Sequence, residues 1–68
     1  MSHYCVNKNA QTNGDHEVHT YECSFLPLQE NRHYLGIFSS CGPAVTEAKK
    51  VYWQSNGCYY CSPACNTG

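Results

Sequence analysis

Three cysteines crowd the end of this chain: Cys58, Cys61 and Cys65 lie within eight positions of the segment NGCYYCSPACNTG. The whole chain has six cysteines among 68 residues. A chain of this length forms one domain with a small core, and such domains often depend on disulfides or a bound metal. We therefore expect a single domain over residues 1–68, with an irregular cysteine-containing tail at about 62–68.

The first third of the chain predicts a β-hairpin. The segments HYCVNKN (3–9) and HEVHTYEC (16–23) have extended character. Asn13-Gly14 between them is a strong turn signal because both residues tolerate positive φ. In such a strand His16 and His19 point to opposite faces, which favours a solvated strand over a shared metal site.

The segment HYLGIFSS (33–40) predicts another strand. Leu35 and Ile37 should face one side and Tyr34 and Phe38 the other, so both faces are apolar. This pattern is typical of a central strand with a helix over one side. Gly36 in its middle predicts a bulge or a close approach of the helix.

The next segment, SSCGPAVTEAKKVYWQSNG (39–57), predicts an amphipathic helix. Ser39 and Ser40 are candidate N-caps, Pro43 suits a first turn, and Asn56-Gly57 supplies a stop. Its apolar stripe comprises Ala44, Val45, Ala48, Val51 and Tyr52. CYYC then suits a short last strand. The order of hairpin, strand, helix and short strand predicts an α+β fold, with one helix on one face of a small three- to four-stranded, mainly antiparallel sheet.

The last cysteines are candidate zinc ligands. A Cys-x2-Cys pair such as Cys58 and Cys61 lets two sulfurs reach one tetrahedral ion, and Cys65 would supply a third. The fourth ligand would come from a distant residue: Cys5, Cys23, Cys41 or a histidine such as His33. Two observations weaken this hypothesis. The chain has no second Cys-x2-Cys pair, and Tyr59-Tyr60 favours a strand in which Cys58 and Cys61 point apart.

Three other interpretations of the cysteines stay open. Disulfides are one, and a bridge between Cys23 and Cys41 would be geometrically unsurprising, although six cysteines allow 15 connectivities. A thiol-redox protein is the second, but a reactive Cys-x-x-Cys pair needs a following helix, and only seven residues follow Cys61. The third is that the cysteines are reduced and buried as small hydrophobic residues.

Charge and the N-terminal segment bear on partners and location. Four Lys and Arg residues stand against five acidic ones, for a net charge of −1, so we expect no nucleic-acid partner. No run of residues is apolar enough for a membrane span, and MSHYCVNKNAQ lacks the features of a secretory signal. We therefore expect a cytoplasmic protein, in a compartment that keeps thiols reduced.

No recognisable catalytic motif occurs in the chain, so the sequence favours a protein that is not an enzyme. Aromatic residues are enriched in recognition sites, and Trp53, Tyr59 and Tyr60 form a candidate interaction surface. The leading hypothesis is a binding or interaction module, with a protein partner or self-association. The alternative is a zinc-stabilised domain using Cys58, Cys61 and Cys65, and a second alternative is a thiol-redox protein.

VNKNAQTNGDHEVH, LGIFSSC, the helix and NGCYYCSPAC together resemble segments of a group of short uncharacterised bacterial proteins. The resemblance covers nearly the whole chain. It implies a bacterial, single-domain protein, and it brings no activity and no catalytic or binding residue to this sequence.

Overall fold

The computed structural model describes residues 1–67. Its strands and helix follow the order β1 (Ser2–Asn7), β2 (His16–Thr20), β3 (Arg32–Phe38), α1 (Cys41–Ala48) and β4 (Ser55–Gly57), with short 3-10 helices at Gln29–Asn31 and Pro63–Cys65. The four strands form one sheet in the order β3-β1-β2-β4. The predicted α+β layer is confirmed. The sheet is mixed rather than mainly antiparallel, because β4 runs parallel to β2 while β1 is antiparallel to both of its neighbours.

The predicted hairpin is confirmed and supplies the two central strands. Tyr4 lies opposite Thr20 and Val6 opposite Val18 in the β1–β2 ladder. In the connection, the Gly14 N–H donates to the Gln11 carbonyl, and Gly14 has a φ of 92°. The Asn13-Gly14 turn signal is therefore used as expected, because glycine adopts positive φ without steric cost.

The prediction of a central third strand is wrong, since β3 lies at the edge of the sheet. A bulge explains the apolar residues on both of its predicted faces. Tyr4 pairs with Gly36 but Cys5 pairs with Tyr34, so Leu35 is an extra residue, and Gly36 has a φ of 130°. The bulge shifts the alternation by one residue. Leu35 and Phe38 therefore pack against the core, whereas Tyr34 and Ile37 are exposed.

The helix begins at the predicted cap, Ser40, but ends much earlier than predicted. After Ala48 the chain makes a turn in which the Val51 and Tyr52 N–H groups both donate to the Ala48 carbonyl, and it then leaves the helix. Val51 is exposed instead of lying in the core. Asn56-Gly57, predicted as a stop, lies inside β4, and the predicted strand CYYC is a turn that follows it.

The two faces of the sheet have different cores. On the helix face an apolar cluster forms from Tyr4, Val6, Val18, Ala44 and Ala48. Alternate residues of a strand point to opposite faces, so the paired residues Cys5 and His19 lie on the other side. Both are almost completely buried. Among residues 1–67, no helix is long and apolar enough to cross a membrane.

Candidate metal centre

Three cysteines and a histidine come together on the sheet face opposite α1. His19, Cys23, Cys58 and Cys61 each place one ligand atom within 4.8 Å of those of the other three. His19 and Cys58 are buried, and Cys23 and Cys61 are partly exposed. We call these four residues the Cys3His group.

Two tight turns bring the four residues together. His19 lies on β2, and the turn closed by the Cys23 N–H on the Thr20 carbonyl brings Cys23 back toward it. On the other side of the group, the Cys58 N–H donates to the Val18 carbonyl at 2.9 Å and extends the β4 pairing. The next turn, closed by the Ser62 N–H on the Cys58 carbonyl, brings Cys61 back to the same place.

Two distances within the group are close to those between the ligands of a tetrahedral metal ion. The Sγ atoms of Cys23 and Cys58 are 3.8 Å apart, and the Cys61 Sγ lies 3.9 Å from the His19 Nδ1. Sulfurs bound tetrahedrally at ~2.3 Å from zinc lie about 3.8 Å from one another. The group is therefore compact enough to hold a metal ion.

Surrounding polar groups orient the ligand atoms. Backbone N–H groups donate to sulfur at 3.4 Å, from Thr20 to Cys61 and from Phe25 to Cys23. The Glu17 carboxylate lies 3.6 Å from the His19 Nε2, which leaves Nδ1 directed at the sulfurs. Carboxylates commonly hold metal-binding histidines in this way, because they set the tautomer and ring orientation.

The pKa shifts of two members of the group, His19 and Cys61, favour the forms that bind a metal ion. Burial lowers the pKa of His19, which favours the neutral imidazole that binds metals. Burial would raise the pKa of Cys61, but hydrogen bonds from Cys23, the Thr20 N–H and Ser62 outweigh it and hold the pKa below its ordinary value. Burial raises the pKa of Cys23 to about 12, and its contact with Cys61 adds to the shift.

Of the predicted zinc ligands, the structure brings together Cys58 and Cys61 and places Cys65 elsewhere. Cys65 forms a disulfide with Cys41, with an S–S distance of 2.02 Å and a Cα–Cα distance of 6.2 Å. The disulfide interpretation is therefore confirmed for one pair, but the bridge considered there, between Cys23 and Cys41, does not form. Cys23, one of the candidates for the fourth ligand, joins the group, whereas His33 lies on the edge strand β3.

His19 is the ligand that sequence reasoning missed. The expectation that His16 and His19 face opposite ways is confirmed: the His16 ring stacks on Tyr52 with centroids 3.9 Å apart, and His19 faces the sulfurs. The sequence signal for this ligand is the spacing His19-x3-Cys23. It supplies a second close pair of metal-binding residues although the chain has no second Cys-x2-Cys. Because Tyr59 and Tyr60 lie in a turn, Cys58 and Cys61 converge rather than point apart.

The predicted interaction residues are exposed but lie in two places. Tyr60 stacks on Phe25 with centroids 4.3 Å apart, and Tyr59 meets Tyr60 edge to face at 5.2 Å. Phe25, Tyr59 and Tyr60, which we call the aromatic patch, are each more than half exposed. Trp53 is 81% exposed and borders a separate cavity with His16 and Tyr52.

Comparisons of the chain with protein-family models, with curated proteins and with solved structures found no match. The interpretation of the Cys3His group as a metal site therefore rests on its geometry alone. Three sulfurs and one imidazole nitrogen, close together and buried or half-buried, form a donor set able to hold a metal ion. The fold and the site define a small α+β domain with a candidate Cys3His metal centre.

Proposed function

We propose that the protein is a zinc-stabilised, non-enzymatic interaction module in which the Cys3His group binds one Zn²⁺. The observation that supports this proposal is the convergence of four zinc-type ligand atoms within 4.8 Å. Thiolate and imidazole ligands favour zinc over the hard cations Mg²⁺ and Ca²⁺. Four protein ligands fill a tetrahedral ion, leaving no position for a reactive water, so the zinc would be structural.

A structural zinc ion would stabilise a fold that has a small apolar core and two ligand-bearing turns. The helix-side core contains only five buried residues, two of them alanines. The segments that follow β2 and β4 are turns. Each turn brings one ligand, Cys23 or Cys61, back to the sheet. Since ligands of this kind come together only in the folded chain, the free energy of zinc binding would contribute directly to folding.

Metal stoichiometry tests the proposal. Protein purified without added metal and then given Zn²⁺ should carry one ion by native mass spectrometry and none after denaturation. Substitution by Co²⁺ should produce the ligand-field absorption of a tetrahedral site and a thiolate-to-cobalt charge-transfer band. Cys61→Ala should lose tight binding of the ion.

Cys5→Ala is the matched control, because Cys5 is a buried free thiol outside the Cys3His group. This variant should keep one zinc per chain and an unchanged cobalt spectrum. A wild-type protein that binds no zinc, or a Cys61→Ala variant that binds it as tightly as wild type, would refute the site.

The interaction part of the proposal rests on the aromatic patch. Phe25 and Tyr60 stack on each other although both are exposed to solvent. Phe25 lies two positions after the ligand Cys23, and Tyr60 lies one position before the ligand Cys61. Zinc binding would therefore fix the patch, and rigid exposed aromatic rings are typical anchors of protein interfaces. The occupant would be another protein chain, and a second copy of this chain is the first one to test.

Analytical ultracentrifugation over a concentration series tests self-association. The zinc-loaded protein should show a concentration-dependent sedimentation coefficient, and Tyr60→Ala should weaken the association at least tenfold. Trp53→Ala is the control, since Trp53 is exposed outside the patch. A monomer at every concentration would exclude the second copy as the occupant.

A further inference from the structure

We infer that the Cys41–Cys65 disulfide is a redox control on the zinc affinity of the Cys3His group. In the oxidised protein the group would bind zinc tightly, and reduction of this disulfide would weaken the binding. The inference rests on the proposed zinc site and adds a means of regulating it. It uses Cys41 and Cys65, two of the three cysteines that lie outside the site.

The disulfide closes the segment that carries two of the four ligands. Cys58 is held at one end of this segment by its N–H bond to the Val18 carbonyl. Cys65 is held at the other end by the bond to Cys41, the first residue of α1. The disulfide therefore joins the ligand segment to the helix on the opposite face of the sheet.

Between these two anchors the backbone of the segment makes local turns, and its side chains reach the rest of the protein at Cys61, which accepts from the Thr20 N–H, and at Tyr60, which stacks on Phe25. The Ser62 N–H donates to the Cys58 carbonyl and the Cys65 N–H donates to the Ser62 carbonyl. The segment lies directly on β4: a Cβ added at Gly57 would come within 2.7 Å of the Cys65 Cβ and of the Ser62 carbonyl oxygen. The disulfide shares this placement of Cys65 with two hydrogen bonds to β4, from the Asn66 side-chain amide to the Gly57 carbonyl and from the Thr67 N–H to the Asn56 Oδ1.

The disulfide is within reach of small thiols, because Cys41 and Cys65 are both partly exposed. A thiolate of the reductant attacks one sulfur and forms a mixed disulfide, which releases the other cysteine as a thiolate. A second reductant thiolate attacks the mixed disulfide and releases the first cysteine. Two electrons pass to the protein, the two thiolates take up protons from water, and the reductant leaves as its own disulfide.

Reduction should lower the affinity for zinc because it removes the covalent restraint on the chain beyond Cys61 and leaves that chain held by hydrogen bonds to β4. Without the bond to Cys41, residues 59–67 populate more conformations, and only a fraction of these place Cys61 beside His19. The apparent dissociation constant rises in inverse proportion to that fraction. Coupling between sites commonly reaches 5- to 150-fold, and we expect about tenfold here.

Thermodynamic linkage adds a reciprocal expectation. If the disulfide tightens zinc binding about tenfold, zinc must favour the disulfide over the dithiol by the same factor. For a two-electron couple, tenfold corresponds to a shift of about 30 mV in the reduction potential. Zinc should therefore make the Cys41–Cys65 disulfide harder to reduce.

Two measurements test the inference. Competition with a chromogenic chelator gives the zinc dissociation constant of the oxidised wild type and of the Cys41→Ala/Cys65→Ala double variant, which we expect to bind about tenfold more weakly. Titration of the wild type in thiol redox buffers, with and without zinc, gives the potential of the Cys41–Cys65 pair from the alkylation state of its peptides. This second measurement needs no variant, so it decides the matter if the double variant does not fold.

Val18→Ala is the control for stability, because it removes methyl groups from the helix-side core and leaves all six cysteines in place. It should bind zinc as tightly as the wild type. Equal dissociation constants for the double variant and the wild type, a potential that zinc does not move, or an equal weakening by Val18→Ala would each overturn the inference. If the oxidised wild type binds no zinc, the proposed zinc site itself fails, which is a separate result.

Discussion

The two faces of the sheet are built from the same strands but stabilised by different chemistry. On the helix side, Tyr4, Val6 and Val18 pack against two alanines of α1. On the other side, Cys5 and His19 lie beneath the turns that carry Cys23, Cys58 and Cys61. Alternate residues of β1 and β2 thus contribute to an apolar core and to a thiol–imidazole core.

The difference determines what each face responds to. Apolar burial depends little on redox state or metal, because none of the buried residues of the helix-side core is a thiol or an imidazole. Tyr4 titrates, but burial raises its pKa above the ordinary value. Thiols and imidazole lose and gain protons, bind metals and are oxidised, so the stability of their face depends on conditions. Changing one face at a time should therefore separate their contributions to stability.

Removal of zinc should have the largest effect, and only on the thiol–imidazole face. With free zinc at 1,000 times its dissociation constant, the ion adds about 4 kcal/mol to the free energy of unfolding. In a domain of this size that corresponds to a Tm higher by roughly 15–30 °C. Thermal unfolding of the zinc-loaded protein, with and without a strong chelator, measures the shift. An unchanged Tm would mean that the face is stable without metal.

Two histidines on β2 provide matched variants for this experiment. His19→Ala removes a ligand, whereas His16→Ala removes the ring that stacks on Tyr52 at the helix side. We expect His19→Ala to abolish most of the zinc-dependent shift in Tm, and His16→Ala to retain it in full. Equal loss of the zinc-dependent shift in Tm in both variants would indicate that the loss comes from disruption of β2 and not from removal of a ligand.

Alkaline pH should also destabilise the thiol–imidazole face, through Cys5. Burial raises the pKa of Cys5 from 9.0 to about 11. The unfolded chain therefore ionises this thiol first, and the stability that is present below pH 9 is lost as the pH rises toward 11. A shift of about 2 pKa units corresponds to roughly 2–3 kcal/mol.

Denaturant unfolding at pH 8 and pH 11 measures this loss, and Cys5→Ala is the control because alanine cannot ionise. The fall in the free energy of unfolding should be smaller in the variant by roughly 2–3 kcal/mol. An identical fall in both proteins would mean that other groups cause the alkaline destabilisation.

Truncation of a buried side chain on the apolar face should lower the free energy of unfolding equally with and without zinc. Val18 is completely buried between β1 and α1. Val18→Ala should lower the free energy of unfolding by about 2 kcal/mol, from lost apolar burial and the cavity left behind. Denaturant unfolding in zinc and in chelator should give the same difference between variant and wild type. A difference that depends on zinc would show that the two faces are coupled.

The bulge in β3 should have the smallest effect. Gly36 has a φ of 130°, which side chains rarely adopt, and a Cβ there would contact the Phe38 ring at 3.4 Å. Gly36→Ala should cost about 1 kcal/mol or somewhat more in the free energy of unfolding. Because the strain lies at the helix-side core, zinc affinity should not change. Equal stability of the variant and the wild type would show that the bulge relaxes.

Local signals explain which parts of the fold could be predicted. Asn13-Gly14 specified the hairpin, and the β-strand pattern placed His16 and His19 on opposite faces, because these features depend on neighbouring residues alone. The end of the helix could not be predicted in the same way. Its apolar periodicity continues to Tyr52, yet the chain leaves the helix after Ala48 so that residues 55–57 can pair with β2. That pairing is a contact between distant residues.

In the candidate site, too, the features that depend on neighbouring residues could be predicted, and those that depend on distant contacts could not. Cys58 and Cys61 could be chosen from their spacing, and His19-x3-Cys23 carries a similar local signal that was not recognised. Nothing local, however, tells Cys65 to bond Cys41 while Cys61 turns toward His19. The choice depends on β4, whose parallel pairing with β2 directs the two turns of the last segment to different partners.

By itself, then, the sequence determined the hairpin, the start of the helix, the α+β class and a cysteine pair fit for zinc, because each follows from residues close together in the chain. Only the tertiary structure decided the strand order, the pairing of Cys41 with Cys65 and the membership of His19 and Cys23 in the Cys3His group. The physical reason is that a metal site and a disulfide need atoms within a few ångströms of one another. For cysteines 35 residues apart, such as Cys23 and Cys58, only the packed sheet supplies that proximity.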